Sequence, residues 1–263
     1  MGKLEQYYNK FNEAGRLTRR HGIVEFETTM FFLKREVARI KAQKDDEQVK
    51  VLDVGTGSGR YALALKEIGC EVTAVDPVSH HITDLRKLDA NLDVAVMDAR
   101  DLSAYADDSF DIVLFLGPLY HLIEESDRIK ALGEAKRVLA PNGRIFAAYC
   151  MNEYSILTYG FKEGHILEAI KAGKISDDFK CISGDEELYY YARLEDMNYL
   201  AKELGLERDY VFSPDGAANY LRKELKNMSD EMFDVFKRYV IKTAQREELL
   251  GAAFHTVDVL KKN

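Results

Sequence analysis

One stretch near the start of the chain, residues 49–60, limits the choice of fold most strongly. An apolar run, Val-Lys-Val-Leu-Asp-Val, ends at three alternating glycines, and an apolar helical pattern begins directly after them. Gly55, Gly57 and Gly59 let the backbone turn sharply and approach a ligand closely, because they have no side chain. The sequence therefore predicts a strand, a glycine loop and a helix whose first N–H groups favour a carboxylate or a phosphate.

The spacing of the glycines indicates which ligand this loop accepts. A dinucleotide-binding loop has the pattern G-x-G-x-x-G, but Arg60 stands here in the place of the third glycine. Asp53, two residues before the first glycine, would repel a pyrophosphate and attract an ammonium group. The resulting D-x-G-x-G-x-G pattern resembles the first motif of the class I S-adenosylmethionine-dependent methyltransferases. The resemblance implies that these residues bind the cofactor: Asp53, Gly55, Thr56, Gly57 and Gly59.

The same resemblance implies an architecture and a cofactor. The expected fold class is α/β, with a doubly wound, mostly parallel sheet of seven strands in a Rossmann-like arrangement. The expected cofactor is S-adenosylmethionine, which leaves as S-adenosylhomocysteine. The motifs that carry the resemblance lie within residues 49–150, and the flanking segments share only the pattern of helices and strands.

Composition and charge narrow the choice of partners. The chain has 263 residues, 46% of them hydrophobic and 31% charged, which is typical of one globular domain. Its net charge of -8 opposes an extended contact with a phosphate backbone, so nucleic acid is disfavoured and a small-molecule acceptor is favoured. There is no apolar run of membrane-spanning length and no signal-peptide core, and the three cysteines are widely separated; these features predict a cytoplasmic protein.

Two further acids follow Asp53 at regular intervals. Asp76 lies 23 residues after Asp53, and Asp98 lies 22 residues after Asp76. Each interval fits one strand–helix unit, so the three carboxylates should meet at the carboxyl edge of a parallel sheet, where doubly wound folds bind ligands. Asp76 could accept both ribose hydroxyls, and Asp98 could accept the adenine amino group. These positions match the second and third motifs of the resembling family, with Pro77 and Val78 as an apolar wall and the Ala99 N–H on the adenine ring.

The fourth predicted strand leads into the loop that should lie beside the transferred methyl group. Residues 112–116 are apolar and are followed by Gly-Pro-Leu-Tyr-His, a loop that resembles those of small-molecule methyltransferases. Leu116 is predicted to contact the cofactor. Methyl transfer requires alignment of the nucleophile and, for some acceptors, removal of a proton. His121 is therefore the candidate general base, and Tyr120 is the candidate residue that orients the acceptor.

The flanks divide the chain into four parts. Residues 1–48 are predicted to form a helical N-terminal cap, residues 49–150 the cofactor-binding core, residues 151–190 a lid insertion after the fifth strand, and residues 191–263 the completion of the same domain. In the resembling family, such caps and insertions commonly close over the substrate. This gives a set of candidate acceptor-binding residues: Tyr7, Tyr8, Arg20, His21, Tyr191 and Arg193.

Three histidines have no predicted role in catalysis or ligand binding. His80 and His81 show no metal-ligand spacing and are predicted to be exposed, and His255 is predicted to be structural, near the start of an antiparallel last strand. The sequence therefore predicts no metal site.

The sequence thus predicts an enzyme that moves a methyl group from S-adenosylmethionine to an N, O or S atom of a small molecule. Two alternatives stay open: a tRNA or rRNA methyltransferase, and a non-catalytic S-adenosylmethionine-binding module. A nicotinamide or nucleotide-sugar oxidoreductase is a remote third. No pattern indicates the identity of the acceptor or the oligomeric state.

Overall fold

The computed structural model describes residues 19–44, 47–184 and 186–262. Within these residues the chain forms one eight-stranded sheet. Its strands are β1 (Lys50–Val54), β2 (Glu71–Asp76), β3 (Asp93–Val96), β4 (Phe110–Phe115), β5 (Leu139–Met151), β6 (Tyr191–Ala192), β7 (Leu206–Phe212) and β8 (His255–Lys262).

The order of the strands is that of a doubly wound sheet. Seven of them follow the path β3-β2-β1-β4-β5-β8-β7, and β6 pairs with the end of β5. The pairs from β3 to β5 are parallel, whereas β8 runs antiparallel to both β5 and β7. The predicted doubly wound, mostly parallel sheet is therefore confirmed, and the antiparallel last strand lies inside the sheet. The two residues of β6 add an eighth strand to the seven expected.

Helices connect the strands. They are α1 (Arg20–Lys41), α2 (Arg60–Glu67), α3 (Ser79–Leu88), α4 (Pro118–His121), α5 (Glu125–Val138), α6 (Asn152–Ser155), a π-helix (Ile156–Lys162), α7 (Ile166–Lys171), α8 (Leu194–Glu203), α9 (Arg222–Asn227), α10 (Asp230–Thr243) and α11 (Glu247–Leu250). In the described part of the chain, no helix combines the length and apolarity that crossing a bilayer requires.

Two apolar cores cover the two faces of the sheet. On one face pack α1, α2 and α3, and here the rings of Phe32 and Phe212 stack with their centroids 4.1 Å apart. On the other face pack α5 and α8. All six residues of the central strand β4 are buried, which a parallel sheet covered on both faces requires. The sheet is thus a rigid support, and its carboxyl edge is left to the loops.

The first half of α1 also supports the C-terminal helices. Val24 packs in a third apolar cluster with Leu225, Phe233 and Val240 of α9 and α10. Next to it, the Arg20 guanidinium donates to the carbonyl oxygens of Leu225 and Met228 at 2.9 and 2.6 Å. The helix α1 therefore packs along the sheet with one half and holds the C-terminal helices with the other.

The N-terminus of α10 is capped by a side chain, and this cap can be tested. The Ser229 hydroxyl accepts a hydrogen bond of 3.2 Å from the Met232 N–H and caps the helix. Replacing Ser229 with alanine should cost about 1 kcal/mol of stability and lower the melting temperature by about 3 °C, measured by circular dichroism. Ser79→Ala is the matched control, because that serine begins α3 without a side-chain cap. Equal losses in the two variants would contradict the capping role.

Candidate functional site

The glycine loop, residues 55–59, joins β1 to α2 at the carboxyl edge of the sheet. Its glycines have φ values of 73°, 55° and 72°, in the left-handed region that favours glycine. A Cβ atom on Gly55 would lie 2.9 Å from Cγ of Pro118, and one on Gly59 would overlap the Leu85 side chain. The loop is therefore held between α3 and the loop that follows β4, and only glycine fits at these two positions.

Two buried carboxylates flank the glycine loop. Asp53 and Asp76 are only 3% and 4% exposed. Asp53 Oδ2 accepts a 2.7 Å hydrogen bond from the Thr56 hydroxyl, and Asp76 Oδ2 accepts one of 2.8 Å from the Gly57 N–H. Burial raises the pKa of Asp53 to about 7; the bond from Thr56 opposes this shift, and the negative charge of Asp76 adds to it. The ends of β1 and β2 thus place two acids around one loop, as their spacing predicts.

The third predicted acid lies at the same edge in a different setting. The strand β3 ends at Val96, two residues before Asp98. The Asp98 carboxylate accepts bonds of 2.9 and 2.7 Å from Nε and Nη2 of Arg100, and this pairing lowers its pKa. Arg100 also donates to Asp127 at 2.7 Å. The carboxylate predicted to receive the adenine amino group is thus held by an arginine that sequence reasoning did not include.

The residues predicted to surround the adenine ring differ in exposure. Pro77 is exposed, whereas Val78 and Ala99 are buried. The Val78 N–H donates to Asp76 Oδ1 at 2.8 Å, which fixes the turn after β2. The prediction that His81 is exposed is wrong. Its side chain is only 10% exposed, and its Nδ1 lies 3.1 Å from Asp76 Oδ1.

The loop after β4 folds into the short helix α4. The Tyr120 hydroxyl donates a 3.0 Å hydrogen bond to the Leu116 carbonyl oxygen. Nδ1 of His121 lies 2.9 Å from the Leu188 carbonyl oxygen. Because a carbonyl oxygen only accepts, Nδ1 carries the proton, and the lone pair of the neutral ring lies on Nε2. Burial lowers the pKa of His121, and the bond to Leu188 and the charge of Asp76 oppose this shift only in part.

Aromatic rings gather around Tyr120 and His121. The Tyr189 ring centroid lies 6.0 Å from that of Tyr120 and 5.0 Å from that of His121. Tyr191 lies 6.3 Å from Tyr189, and His255 lies 6.0 Å from Tyr120. We call these five residues the aromatic cluster. The intervening Tyr190 points elsewhere, because its ring lies 3.6 Å from the Arg128 guanidinium carbon.

The aromatic cluster contains His255, for which the sequence predicts a structural role, and Tyr189, which the sequence indicates only as one of three successive tyrosines of which at most two could line an acceptor pocket. The run of three tyrosines signals an aromatic surface, but only the path of the chain shows that Tyr189 and Tyr191 share a side. His255 had no such signal.

The other candidate acceptor-binding residues take up different positions. The Arg20 guanidinium donates to main-chain carbonyls and pairs with Asp230 at 2.6 Å, and Arg193 pairs with Glu153 at 2.8 Å and Asp178 at 2.7 Å. His21 is buried on α1. Tyr7 and Tyr8 lie outside the described residues.

Comparison of this sequence with known proteins finds similarity to methyltransferases. Residues 52–147 match the family model described as "Methyltransferase domain". The chain is 33% identical over 131 residues to a glycine/sarcosine N-methyltransferase of Aphanothece halophytica. The matched segment covers 48% of this chain and 49% of the relative. The chain is 32% identical over 111 residues to a ubiquinone biosynthesis O-methyltransferase of Xanthomonas oryzae pv. oryzae, with coverage of 41% and 45%. The matches thus span about half the length of these curated relatives.

A solved structure extends the likeness to the whole fold. An S-adenosylmethionine-dependent methyltransferase of Thermotoga maritima, described as a possible histamine N-methyltransferase, aligns over 99% of this chain and 98% of its own length. The TM-score is 0.57 at 17% sequence identity. At this identity the alignment shows that the two chains share a fold.

Proposed function

Because the chain belongs to the class I S-adenosylmethionine-dependent methyltransferases, we propose that it transfers a methyl group to an N, O or S atom of a small-molecule acceptor. One observation carries this proposal. The glycine loop with Asp53 and Asp76 touches the loop of Tyr120 and His121, through the close approach of Gly55 to Pro118. Residues suited to binding a methyl donor therefore lie next to residues suited to orienting and deprotonating a nucleophile.

Different site residues are proposed to bind different parts of the cofactor. Asp53, at the glycine loop, would face the ammonium group, and Asp76 would accept the ribose hydroxyls. The two oxygens of Asp76 accept backbone N–H bonds from Gly57 and Val78, and a carboxylate with about four acceptor positions has capacity for hydroxyl donors as well. The remaining contacts are proposed for Thr56, Pro77, Val78, Asp98, Ala99 and Leu116.

The aromatic cluster is proposed to hold and activate the acceptor. When bound, S-adenosylmethionine supplies an activated methyl group, and its carbon–sulfur bonding pair stays on sulfur as S-adenosylhomocysteine is released. Tyr120 and Tyr189 would orient the acceptor so that its lone pair forms the new bond to carbon. His121 Nε2 would take the proton that the methylated atom loses, since its ring is neutral near neutral pH.

The segment predicted to act as a lid contributes to this arrangement. Leu188 accepts the hydrogen bond from His121, and the Tyr190 N–H donates a 2.7 Å hydrogen bond to the Tyr120 carbonyl oxygen. The end of residues 151–190 is therefore bonded to the loop that carries the proposed catalytic groups. We propose that this segment encloses the acceptor.

Two observations support a small-molecule acceptor. The relatives with the matching segment are named for glycine or sarcosine and for ubiquinone biosynthesis, and none of these names refers to a nucleic acid. The net charge of -8 also disfavours a polyanionic partner.

Calorimetry and an acceptor screen test the proposal. The purified protein should bind S-adenosylmethionine with a Kd of roughly micromolar order and should show no comparable binding of NAD. A panel of small amines, phenols and thiols is then tested for release of S-adenosylhomocysteine. Absence of heat with roughly millimolar cofactor would contradict the cofactor assignment. Binding without turnover on any acceptor, or turnover only on RNA, would contradict the proposed acceptor class.

The pH dependence of cofactor binding should report on Asp53. Below its pKa of about 7, this buried carboxyl is protonated in the free protein, and a ligand ammonium group must expel that proton to bind. The Kd for S-adenosylmethionine should therefore rise by about tenfold for each pH unit below the pKa, measured by calorimetry at matched ionic strength.

Two variants test whether Asp53 or another acid causes this pH dependence. Asp53→Asn should weaken binding at neutral pH and remove the slope on the acid side. Asp101→Asn should keep the slope, because the carboxyl of Asp101 bonds to the Ser103 N–H in an exposed loop. A slope that persists in the Asp53 variant would show that another group titrates.

A further inference from the structure

Three ligating side chains from distant parts of the sequence meet at one buried point. They are Glu25 on α1, Asp215 in the segment after β7 and His255 at the start of β8. Their carboxylate oxygens and ring nitrogen lie within 4.8 Å of one another. The three residues are 8%, 0% and 6% exposed, so the group differs from the acidic clusters common on protein surfaces. We propose that these residues form a binding site for one divalent metal ion.

The distances between the donor atoms fit a shared ion. His255 Nδ1 lies 3.2 Å from Asp215 Oδ2 and 3.7 Å from Glu25 Oε2. Metal bonds of about 2.1 Å in tetrahedral geometry separate neighbouring donors by about 3.4 Å. A charge-assisted hydrogen bond between nitrogen and a carboxylate is shorter, about 2.7–2.9 Å. The observed distances of 3.2 and 3.7 Å lie on either side of the tetrahedral value, and the ion would replace the hydrogen bond that the ring now forms with Asp215.

Surrounding groups fix the orientation of these donors. Asn219 Nδ2 donates to Asp215 Oδ2 at 2.8 Å, and the His255 N–H donates to the same oxygen at 3.2 Å. His255 is itself held in β8, where it pairs with Cys150 of β5. Such outer contacts orient the ligands of protein metal sites and tune their affinity. The site thus has a rigid frame made from the sheet and the segment after β7.

The ligand set indicates the class of metal. One imidazole and two carboxylates suit zinc, manganese, iron or cobalt, and the two carboxylates balance a divalent charge. Three protein ligands leave at least one coordination position for water or another ligand. Because the His255 ring lies 6.0 Å from that of Tyr120, the ion would lie beside the aromatic cluster. Binding of the ion does not depend on the proposed function.

Titration of the whole chain with zinc alone tests the inference. After treatment with a chelator and dialysis, the wild-type protein should bind about one zinc ion per chain with a Kd of roughly micromolar order or below. Glu25→Gln should weaken zinc binding by at least about tenfold, because it replaces a charged ligand with a neutral amide of the same shape. Zinc should also raise the melting temperature of the wild type and leave that of this variant unchanged.

Glu27→Gln is the matched control. This residue lies two positions further along α1, pairs with Lys237 at 3.1 Å and is not one of the three ligands. It should bind zinc as the wild type does. No zinc binding by the wild type, or equal binding by the two variants, would overturn the inference and leave a buried ion pair.

Titration of the same three samples with S-adenosylmethionine completes the design. Unchanged cofactor affinity in Glu25→Gln would show that the variant is folded. Cofactor binding without zinc binding would refute the metal site alone, and zinc binding without cofactor binding would refute the proposed function alone.

Discussion

Replacing His121 with alanine is expected to slow methyl transfer by about a hundredfold or more and to leave the affinity for S-adenosylmethionine within about twofold. The bond from Nδ1 to the Leu188 carbonyl oxygen places the basic lone pair on Nε2, and burial keeps the ring neutral. The variant retains the glycine loop and its acids, so it loses proton removal and keeps the cofactor site. Rates of S-adenosylhomocysteine release with an acceptor from the screen provide the measurement.

The pH profile distinguishes a base from a packing residue. Because the pKa of His121 is lowered from 6.5, the acid limb of kcat in the wild type should fall below pH 6.5, and it should vanish in the alanine variant. His165→Ala is the control, since that ring lies on the surface near Glu168 and should give wild-type rates. A His121 variant that keeps the wild-type rate and acid limb would assign proton removal to another group or to solvent.

The geometry of the proposed cofactor half of the site could be predicted because its signals are local. The strand, loop and helix around Gly55, Gly57 and Gly59 lie within a dozen residues, and positive φ at each glycine is what their repetition predicts. Asp53 and Asp76 follow from strand length, since each ends its strand or lies one residue from the end. The lengths of the strands and the spacing of the acids along the chain therefore determine which residues lie at this edge of the sheet.

The proposed acceptor half and the proposed metal site depend on contacts that the sequence does not place. His255 lies 230 residues from Glu25 in the chain and 40 from Asp215, and no spacing rule joins such positions. Tyr189 joins the aromatic cluster only because the end of the lid segment bonds to Tyr120 and His121. In the proposed cofactor half, Asp98 and Arg100 are two positions apart in the chain, but the orientation of the Arg100 side chain also depends on Asp127 of α5. Tertiary packing decides each of these cases.

Asp76→Ala is expected to weaken S-adenosylmethionine binding by more than about a hundredfold, or about 3 kcal/mol, because hydrogen bonds to a charged group contribute about 1.5–3 kcal/mol each. The carboxylate of Asp76 performs two tasks in the proposal. It holds the glycine loop through the Gly57 N–H and the turn after β2 through the Val78 N–H, both at 2.8 Å, and it would accept the ribose hydroxyls. Calorimetry with the wild type and the variant measures the loss.

Two further variants separate the tasks of Asp76. Asp76→Asn keeps one carbonyl oxygen and should lose less affinity than the alanine variant, since one acceptor remains for the loop or the ribose. Asp93→Ala serves as the control, because that carboxylate accepts only an exposed bond from Thr73 among the contacts of the described residues, and its loss should leave cofactor affinity within about twofold. If a folded Asp76→Ala protein bound the cofactor as tightly as the wild type, the ribose would have to be held by another residue.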